Sequence, residues 1–283
     1  MWILNGALNF LPNLWIVLLL PVFSVAVFKR RSFTMVAAVP LVIALLLING
    51  SSMMLVASAN ASANGCASPS LRIATANVLM SNERLDVLAE DILREAPDVV
   101  VFEELYHSLE TFSPALAAAY PYRISTEQQW VTLASRLPLQ DARRLPLAEA
   151  VPGREPLTAA VEVNGQTVRI LAVHAQAPMN GETYRLHRAQ YELLEREAAQ
   201  ADGPLVAVGD LNATVLSPFF ARFMVRTGLR AALEDGDATY YPRQHIGLRI
   251  DHVLVRNVDV CGERVFDLTG SDHRGVVADL RLG

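Results

Sequence analysis

No acidic residue occurs before Glu83 in this 283-residue chain. Ahead of it the only charges are Lys29, Arg30, Arg31 and Arg72. Two apolar runs fill that space, residues 7–28 and 33–57, with the basic cluster Lys29-Arg30-Arg31 between them. A helix of about 20 apolar residues spans a ~30 Å hydrocarbon core, so each run is long enough to cross a membrane. Pro12, Pro21 and Pro40 fall in or near the runs, where membrane helices tolerate proline better than soluble ones do. Basic loops stay cytoplasmic. The expectation is a transmembrane helical hairpin in the cell membrane with loop 29–32 on its cytoplasmic side, a linker at 58–70, and an extracytoplasmic domain at 71–283. A second reading takes 29–63 as a signal peptide, with Ala57, Ala59, Ala61 and Ala63 as small cleavage-type residues. The presence of two runs favours a retained anchor.

Hydrophobic residues make up 52% of the chain before glycine is counted, against roughly 45–50% with glycine included in soluble domains. The surplus belongs to the first 57 residues. Residues 71–283 hold all 29 acids and 21 of the 24 basic residues, a net charge of about −8. That balance excludes a disordered chain and a basic protein that coats nucleic acid, and no stable nucleic-acid partner is expected. It leaves room for a small phosphorylated substrate held by a metal. Cys66 and Cys261 both fall in the external part, where an oxidising compartment permits a disulfide; two unpaired thiols are the other reading.

Beyond residue 70, strand-like and helix-like segments alternate. Strands are expected at 71–78, 98–104, 130–135, 158–163, 168–174, 205–210, 249–256, 263–267 and 275–281. Helical spacing of apolar residues marks 84–96, 108–119, 183–201 and 218–227. Asn164-Gly165 is a hairpin turn signal. The pattern predicts a layered α/β domain.

The polar residues with chemical potential stand at strand ends: Asn77, Glu103 and Glu104, His174, Asp210 and Asn212, Asp251, and the Ser271-Asp272-His273 triplet. In α/β sheets such termini converge on one crevice. Carboxylates with an amide make a hard oxygen site suited to Mg²⁺ or Mn²⁺. Histidines beside it can act as general acids, bases or transition-state donors, and together these groups suit hydrolysis of a phosphate ester.

The order of motifs resembles the endonuclease/exonuclease/phosphatase superfamily, which includes pancreatic-type deoxyribonuclease, exonuclease III-like enzymes, neutral sphingomyelinases and inositol polyphosphate phosphatases. The resemblance rests on Thr75-Ala76-Asn77, the segment Pro97-Asp98-Val99-Val100-Val101-Phe102-Glu103-Glu104, Ser135-Arg136-Leu137-Pro138, Val173-His174, Gly209-Asp210-Leu211-Asn212, Arg249-Ile250-Asp251-His252 and Ser271-Asp272-His273. It implies a four-layer α/β sandwich, two mixed sheets face to face with helices outside.

It also implies roles. Glu104 aligns with the metal-binding glutamate, with Asn77 beside it and Asp272 helping to hold the metal. Glu103 stands where the family usually has Gln, so either glutamate is open as the ligand; the register favours Glu104. Asp210 would orient or deprotonate the attacking water, Asn212 would donate to the phosphate, and Asp251 would fix His273 over the scissile phosphate. Arg154-Glu155-Pro156 resembles the deoxyribonuclease branch, where the glutamate pairs with the histidine matching His174. A second dyad, Glu155–His174, is therefore expected. Arg136 and Arg185 are candidate phosphate contacts. Tethered outside a membrane and without basic insertions, the domain is expected to meet a phospholipid or lipid-linked (pyro)phosphate. A metal-dependent nuclease acting on extracytoplasmic DNA is the alternative.

Overall fold

A run such as Val99-Val100-Val101 offers apolar side chains to both faces of a strand, and only a strand covered on both faces can use them. It lies in β2 (Val99–Glu103), every residue of which is buried. The computed structural model describes residues 68–147, 153–232, 237–243 and 246–283. The expected membrane runs, the loop 29–32, most of the linker, Cys66 and His245 lie outside these residues. Among the described residues no helix is long and apolar enough to cross a membrane.

The chain from Ser70 builds two mixed sheets. The first contains β1 (Leu71–Asn77), β2, β3 (Tyr122–Ser125), β4 (Val131–Ser135), β13 (Asp259–Asp267) and β14 (Arg274–Arg281), in the order β13-β14-β1-β2-β4-β3. The second contains β5 (Gln140–Arg144), β6 (Leu157–Val163), β7 (Gln166–His174), β8 (Leu205–Asp210), β9 (Arg230–Ala231) and β12 (Asp251–Arg256), in the order β5-β6-β7-β8-β12-β9. A separate hairpin, β10 (Tyr240–Arg243) with β11 (Ile246–Leu248), precedes β12.

Period-2 alternation decides the layers. Ile73, Val99, Val101 and Leu133 of the first sheet meet Ala159, Ile170, Val208 and Val253 of the second in one buried cluster. The alternate residues Ala74, Val100 and Phe102 face outward onto α1 (Leu85–Glu95) and the short helices α2 (Leu109–Phe112) and α3 (Pro114–Ala119). Leu171, Ala207 and Leu254 face α4 (Gly181–Ala199) and α5 (Pro218–Thr227). The result is helix, sheet, sheet, helix, as the resemblance implied. Cutting a buried side chain such as Ile73 to alanine is expected to cost about 2–5 kcal/mol.

Local chemistry sets the element ends. Ala96 takes a left-handed turn at φ 50° and Pro97 then stops α1. Asn180 and Thr183 form a reciprocal capping box that starts α4. Asn164 and Gly165, both at positive φ, close the expected β6–β7 hairpin. The single helix expected at 108–119 is two helices instead. Ser113 is extended at φ −158°, because a residue before proline is steered away from the helical region, and its hydroxyl accepts from the Leu116 N–H to start α3. Strands β3, β5, β9, β10 and β11 had no expected counterpart. β5, with the sequence QDARR, is exposed along its whole length and so lacks any apolar alternation to read.

Candidate active site

Two parallel pairs aim the site. β1 runs parallel to β2 and β7 parallel to β8, so Asn77, Glu103, His174 and Asp210 all end at one pole. β12 and β14 run antiparallel to β8 and β1, so Asp251 and His273 enter from the same pole. The sheets touch here: Asn77 Nδ2 lies 3.3 Å from Asp210 Oδ2, and Glu103 Oε1 accepts from the Asp210 N–H at 3.3 Å. Gly209 permits this approach. At φ 142° a Cβ there would sit 1.9 Å from the Val173 carbonyl oxygen, so no other residue fits without moving the strands.

The two adjacent glutamates have different surroundings. Glu103 is wholly buried. Its Oε1 accepts from Thr75 Oγ1 at 2.6 Å, while Oε2 has no hydrogen-bond partner. Burial, then the charges of Asp251 and Asp210, push its carboxyl well above the usual range despite the Thr75 bond. Glu104 instead turns out of the strand through a left-handed backbone at φ 60°, a conformation that costs on the order of 1 kcal/mol for a non-glycine residue. Its carboxylate is partly exposed, 3.4 Å from Asn77 Nδ2, and accepts from the Met80 N–H at 3.4 Å.

Asp210 is buried, accepts from the Asn212 N–H at 2.9 Å, and pairs in register with Asp251 on the neighbouring strand. Burial and the Asp251 charge raise its pKa to about 7. Asn212 also sits at positive φ, 48°, with Nδ2 donating to the Ala175 carbonyl at 2.9 Å. One amide hydrogen is left over for a ligand.

The two histidines differ sharply. His273 Nδ1 lies 2.9 Å from Asp251 Oδ2, and its ring stacks on Tyr240 at 4.8 Å. Burial alone would lower its pKa, but Asp251 by charge and hydrogen bond, with Asp210 and Asp272, raises it to about 10. Ser271 fixes the approach, accepting from the His273 N–H at 3.0 Å and donating to the Asn77 carbonyl at 2.8 Å. His174 has no carboxylate in hydrogen-bond contact; Asp210 and Glu104 stand 3.7 and 3.8 Å from its Nε2. Its Nε2 meets Arg154 Nη1 at 3.1 Å. Its buried Nδ1 lacks a partner of ordinary geometry, with only the Trp130 backbone nearby. Burial, then the Arg154 charge, depress its pKa well below the usual value.

Several expected contacts fall elsewhere. Glu155 does not pair with His174: its Oε2 accepts from the Gly153 N–H at 3.0 Å, and Arg154, its neighbour, reaches the ring. Arg136 lies at the opposite pole. β4 runs antiparallel to β2, so Arg136 follows the strand away from the site, its N–H bonded to the Asp98 carbonyl at 2.8 Å and its guanidinium over Tyr120. Arg185 is exposed on α4 and touches no site residue. Asp272 is exposed; it acts on His273 through its charge and makes no hydrogen bond to Asn77 or Glu104. His252 faces away, bonding the Ala213 carbonyl and stacking on Phe220. His187 lies on α4, buried against Tyr191. Arg154, Trp130 and Gln190 were not expected at the site, whereas Tyr240 falls in the segment 240–242 expected either to line a rim or to pack a loop. Of those three only Arg154 had a signal, its place beside Glu155.

Two places suit a divalent cation. Glu104 and Asp210 present carboxylate oxygens on either side of Asn77, whose Nδ2 faces both and whose Oδ1 accepts from the Leu79 N–H at 3.2 Å; carboxylate oxygens are the hard ligands that Mg²⁺ takes. Asp210, Asp251 and His273 also converge, with ligand atoms within 4.8 Å of one another. There, however, the imidazole is already bound to Asp251 and holds a proton, so the Glu104 side is the better fit.

The rim has its own character. Met80 (50% exposed), Tyr106 (49%), Met179 (75%) and Tyr241 (40%) are large apolar residues on segments bordering the site. Tyr106 packs edge-on to Trp130 at 6.5 Å, and Trp130 lies 6.2 Å from His174. The segments 78–82, 104–108, 126–130, 175–180 and 211–217 contain no Lys or Arg.

A family model described as the endonuclease/exonuclease/phosphatase family matches residues 74–273. Among solved structures, the chain is similar to an endonuclease/exonuclease/phosphatase from Beutenbergia cavernae, with 23% identity, 76% of this chain and 72% of that one covered, and a TM-score of 0.63. A 3'-5' exonuclease from Neisseria meningitidis shares 24% identity over 74% of this chain and 98% of that one, at 0.58. Sphingomyelinase C from Streptomyces griseocarneus shares 18% over 75% and 99%, at 0.57. At such identities the likeness speaks for the fold. A search of curated proteins finds no match to the sequence.

Proposed function

The chain belongs to the endonuclease/exonuclease/phosphatase family, whose members hydrolyse phosphoester bonds, and from that premise we propose that it is a membrane-anchored, divalent-metal-dependent phosphoesterase acting on a phospholipid or lipid-linked (pyro)phosphate at the outer membrane face. The observation that carries the lipid reading is the rim. A nuclease holds phosphates with many Lys and Arg; this site is bordered by Met80, Tyr106, Met179 and Tyr241, with no Lys or Arg on five adjoining segments, Arg154 and Arg243 lying on two others. Exposed apolar side chains around a charged centre suit a substrate whose phosphate sits at the end of a hydrocarbon body. Two further facts support the placement: the acid-free apolar runs at 7–28 and 33–57, and the disulfide-bonded state of Cys261, which fits an oxidising compartment.

Asp251 takes His273 Nδ1 and leaves Nε2 as the atom that donates to the substrate, as imidazolium. Asp210, with its pKa near 7, accepts the proton of the attacking water. Asn212 donates its spare amide hydrogen to a phosphoryl oxygen. Glu104, with Asn77 beside it, would hold the cation, Mg²⁺ or Mn²⁺, which would neutralise charge on the phosphoryl oxygens.

The nuclease reading retains one point in its favour: the Tyr106–Trp130 pair offers ring faces and edges on which a base can stack. The full-length protein in mixed micelles with Mg²⁺ separates the two. Offered a lipid pyrophosphate, a phospholipid, bis(p-nitrophenyl) phosphate, a phosphomonoester and plasmid DNA, it should turn over a lipid substrate fastest. Fast nicking of the plasmid without lipid turnover would overturn the lipid reading. Activity that survives EDTA would overturn the metal assignment.

A further inference from the structure

Among the described residues, Arg154 is a cation in the site without a carboxylate partner. Its guanidinium lies 4.7 Å from the centre of the Trp130 ring, and its Nη1 bonds a neutral nitrogen, His174 Nε2, at 3.1 Å. Among the described residues no acid lies within ion-pair distance of it, although the Glu104 and Asp210 charges both act on it from further away. Its surroundings are built for that position. Gln190 of α4 donates to the Arg154 carbonyl at 2.8 Å and to the His174 carbonyl at 3.2 Å, and its Oε1 accepts from the Gln176 N–H at 2.6 Å. One buried amide thus binds the arginine, the histidine and the following loop together. Gly153 lets the chain pass close over the indole, since a Cβ there would meet Trp130 Cδ1 at 2.6 Å.

A half-buried guanidinium without a paired anion carries a desolvation cost, and a fork of N–H donors held over an aromatic ring is pre-organised for two oxygens of one group. We propose that Arg154 binds the substrate's phosphoryl group, with Trp130 as its platform and Gln190 as its positioning residue. On substrate entry the guanidinium exchanges its bond to His174 for two phosphoryl oxygens. The exchange leaves His174 Nε2 free to accept a hydrogen bond inside the site. This rests on the phosphoester reading and adds to it an arginine that reads the anion.

The experiment uses the full-length protein in detergent with saturating Mg²⁺, bis(p-nitrophenyl) phosphate as substrate and inorganic phosphate as competitor. Arg154→Gln should raise KM and the phosphate inhibition constant about 10–100-fold, the range of a charge-assisted pair, with a smaller effect on kcat. Arg154→Lys should recover only part of this, because the fork and the stacking are lost. Trp130→Phe should give a weaker shift in the same direction. The unfolding midpoint of each variant is measured alongside; if Arg154→Gln does not fold, the lysine variant reads the same constants. Unchanged KM and phosphate inhibition in a folded variant would overturn the proposal. A wild-type protein that neither cleaves the diester nor binds phosphate would instead refute the phosphoester reading itself.

Discussion

His273 and His174 occupy matching places, one at the pole end of each sheet, and the structure gives them opposite charge states. His273 leans on a buried carboxylate and holds its proton to about pH 10. His174 leans on a guanidinium and is kept neutral by burial and by that charge. Both rings are nearly inaccessible to solvent, so exposure does not separate them. The neighbour does. One histidine is set as a proton donor and the other as an acceptor, and a single site can then hold both roles at one pH.

The sharpest way to break this contrast is to remove each ring. His273→Ala should lower kcat about 10²–10⁴-fold, the range of a general acid–base group, with the unfolding midpoint showing that the protein still folds. His174→Ala should cost less, though more than roughly tenfold, since a neutral ring beside Arg154 contributes contact rather than a proton. Equal losses in kcat for the two variants would mean that the metal-loaded enzyme does not maintain the asymmetry.

The next effect is on pH. Asp210 must lose a proton near 7 to act as a base, and His273 must keep one that it loses near 10. A plot of kcat/KM at low Mg²⁺ should therefore rise through about pH 7 and fall toward pH 10. Asp251→Asn removes what holds the proton on His273, so the falling limb should move down toward the ordinary histidine value of about 6.5. The same proton bears on stability. His273 has a folded pKa above its unfolded value, so its contribution is complete below about pH 6.5 and disappears as pH rises through about 10. Urea midpoints measured across that window should fall in the wild type and fall less in Asp251→Asn. A falling limb that Asp251→Asn leaves in place would assign it to some other group.

How much of this was legible in the residues follows from what each feature depends on. Strands covered on both faces, such as β2 and β8, show themselves as continuous apolar runs, and their polar last residues mark the site. The partner of a side chain depends on backbone course in the loops, which periodicity does not encode. Glu155 and Arg154 are adjacent in sequence, and a turn of the chain at Gly153 decides which one faces His174. Arg136 failed for a topological reason: its motif is genuine, but antiparallel pairing of β4 with β2 carries it to the far pole. Exposed edge strands such as β5 leave no pattern at all.

The smallest effect separates the two glutamates. If Glu104 is the ligand and Glu103 an uncharged strut between the sheets, glutamine should replace Glu103 with little consequence. The amide oxygen would accept from Thr75 and from the Asp210 N–H, as Oε1 does now. Activity should stay within about twofold, against a loss of a hundredfold or more for Glu104→Gln. Stability carries the finer signal. Glu103 has a folded pKa raised by burial, so its favourable contribution exists below the unfolded value of about 4.3 and is lost as pH rises. Glu103→Gln should therefore match the wild type in urea midpoint at pH 4 and exceed it at pH 8. A variant weaker than the wild type at pH 8 would show that Glu103 is ionised in the fold and held by a cation, and the ligand assignment would pass from Glu104 to its neighbour.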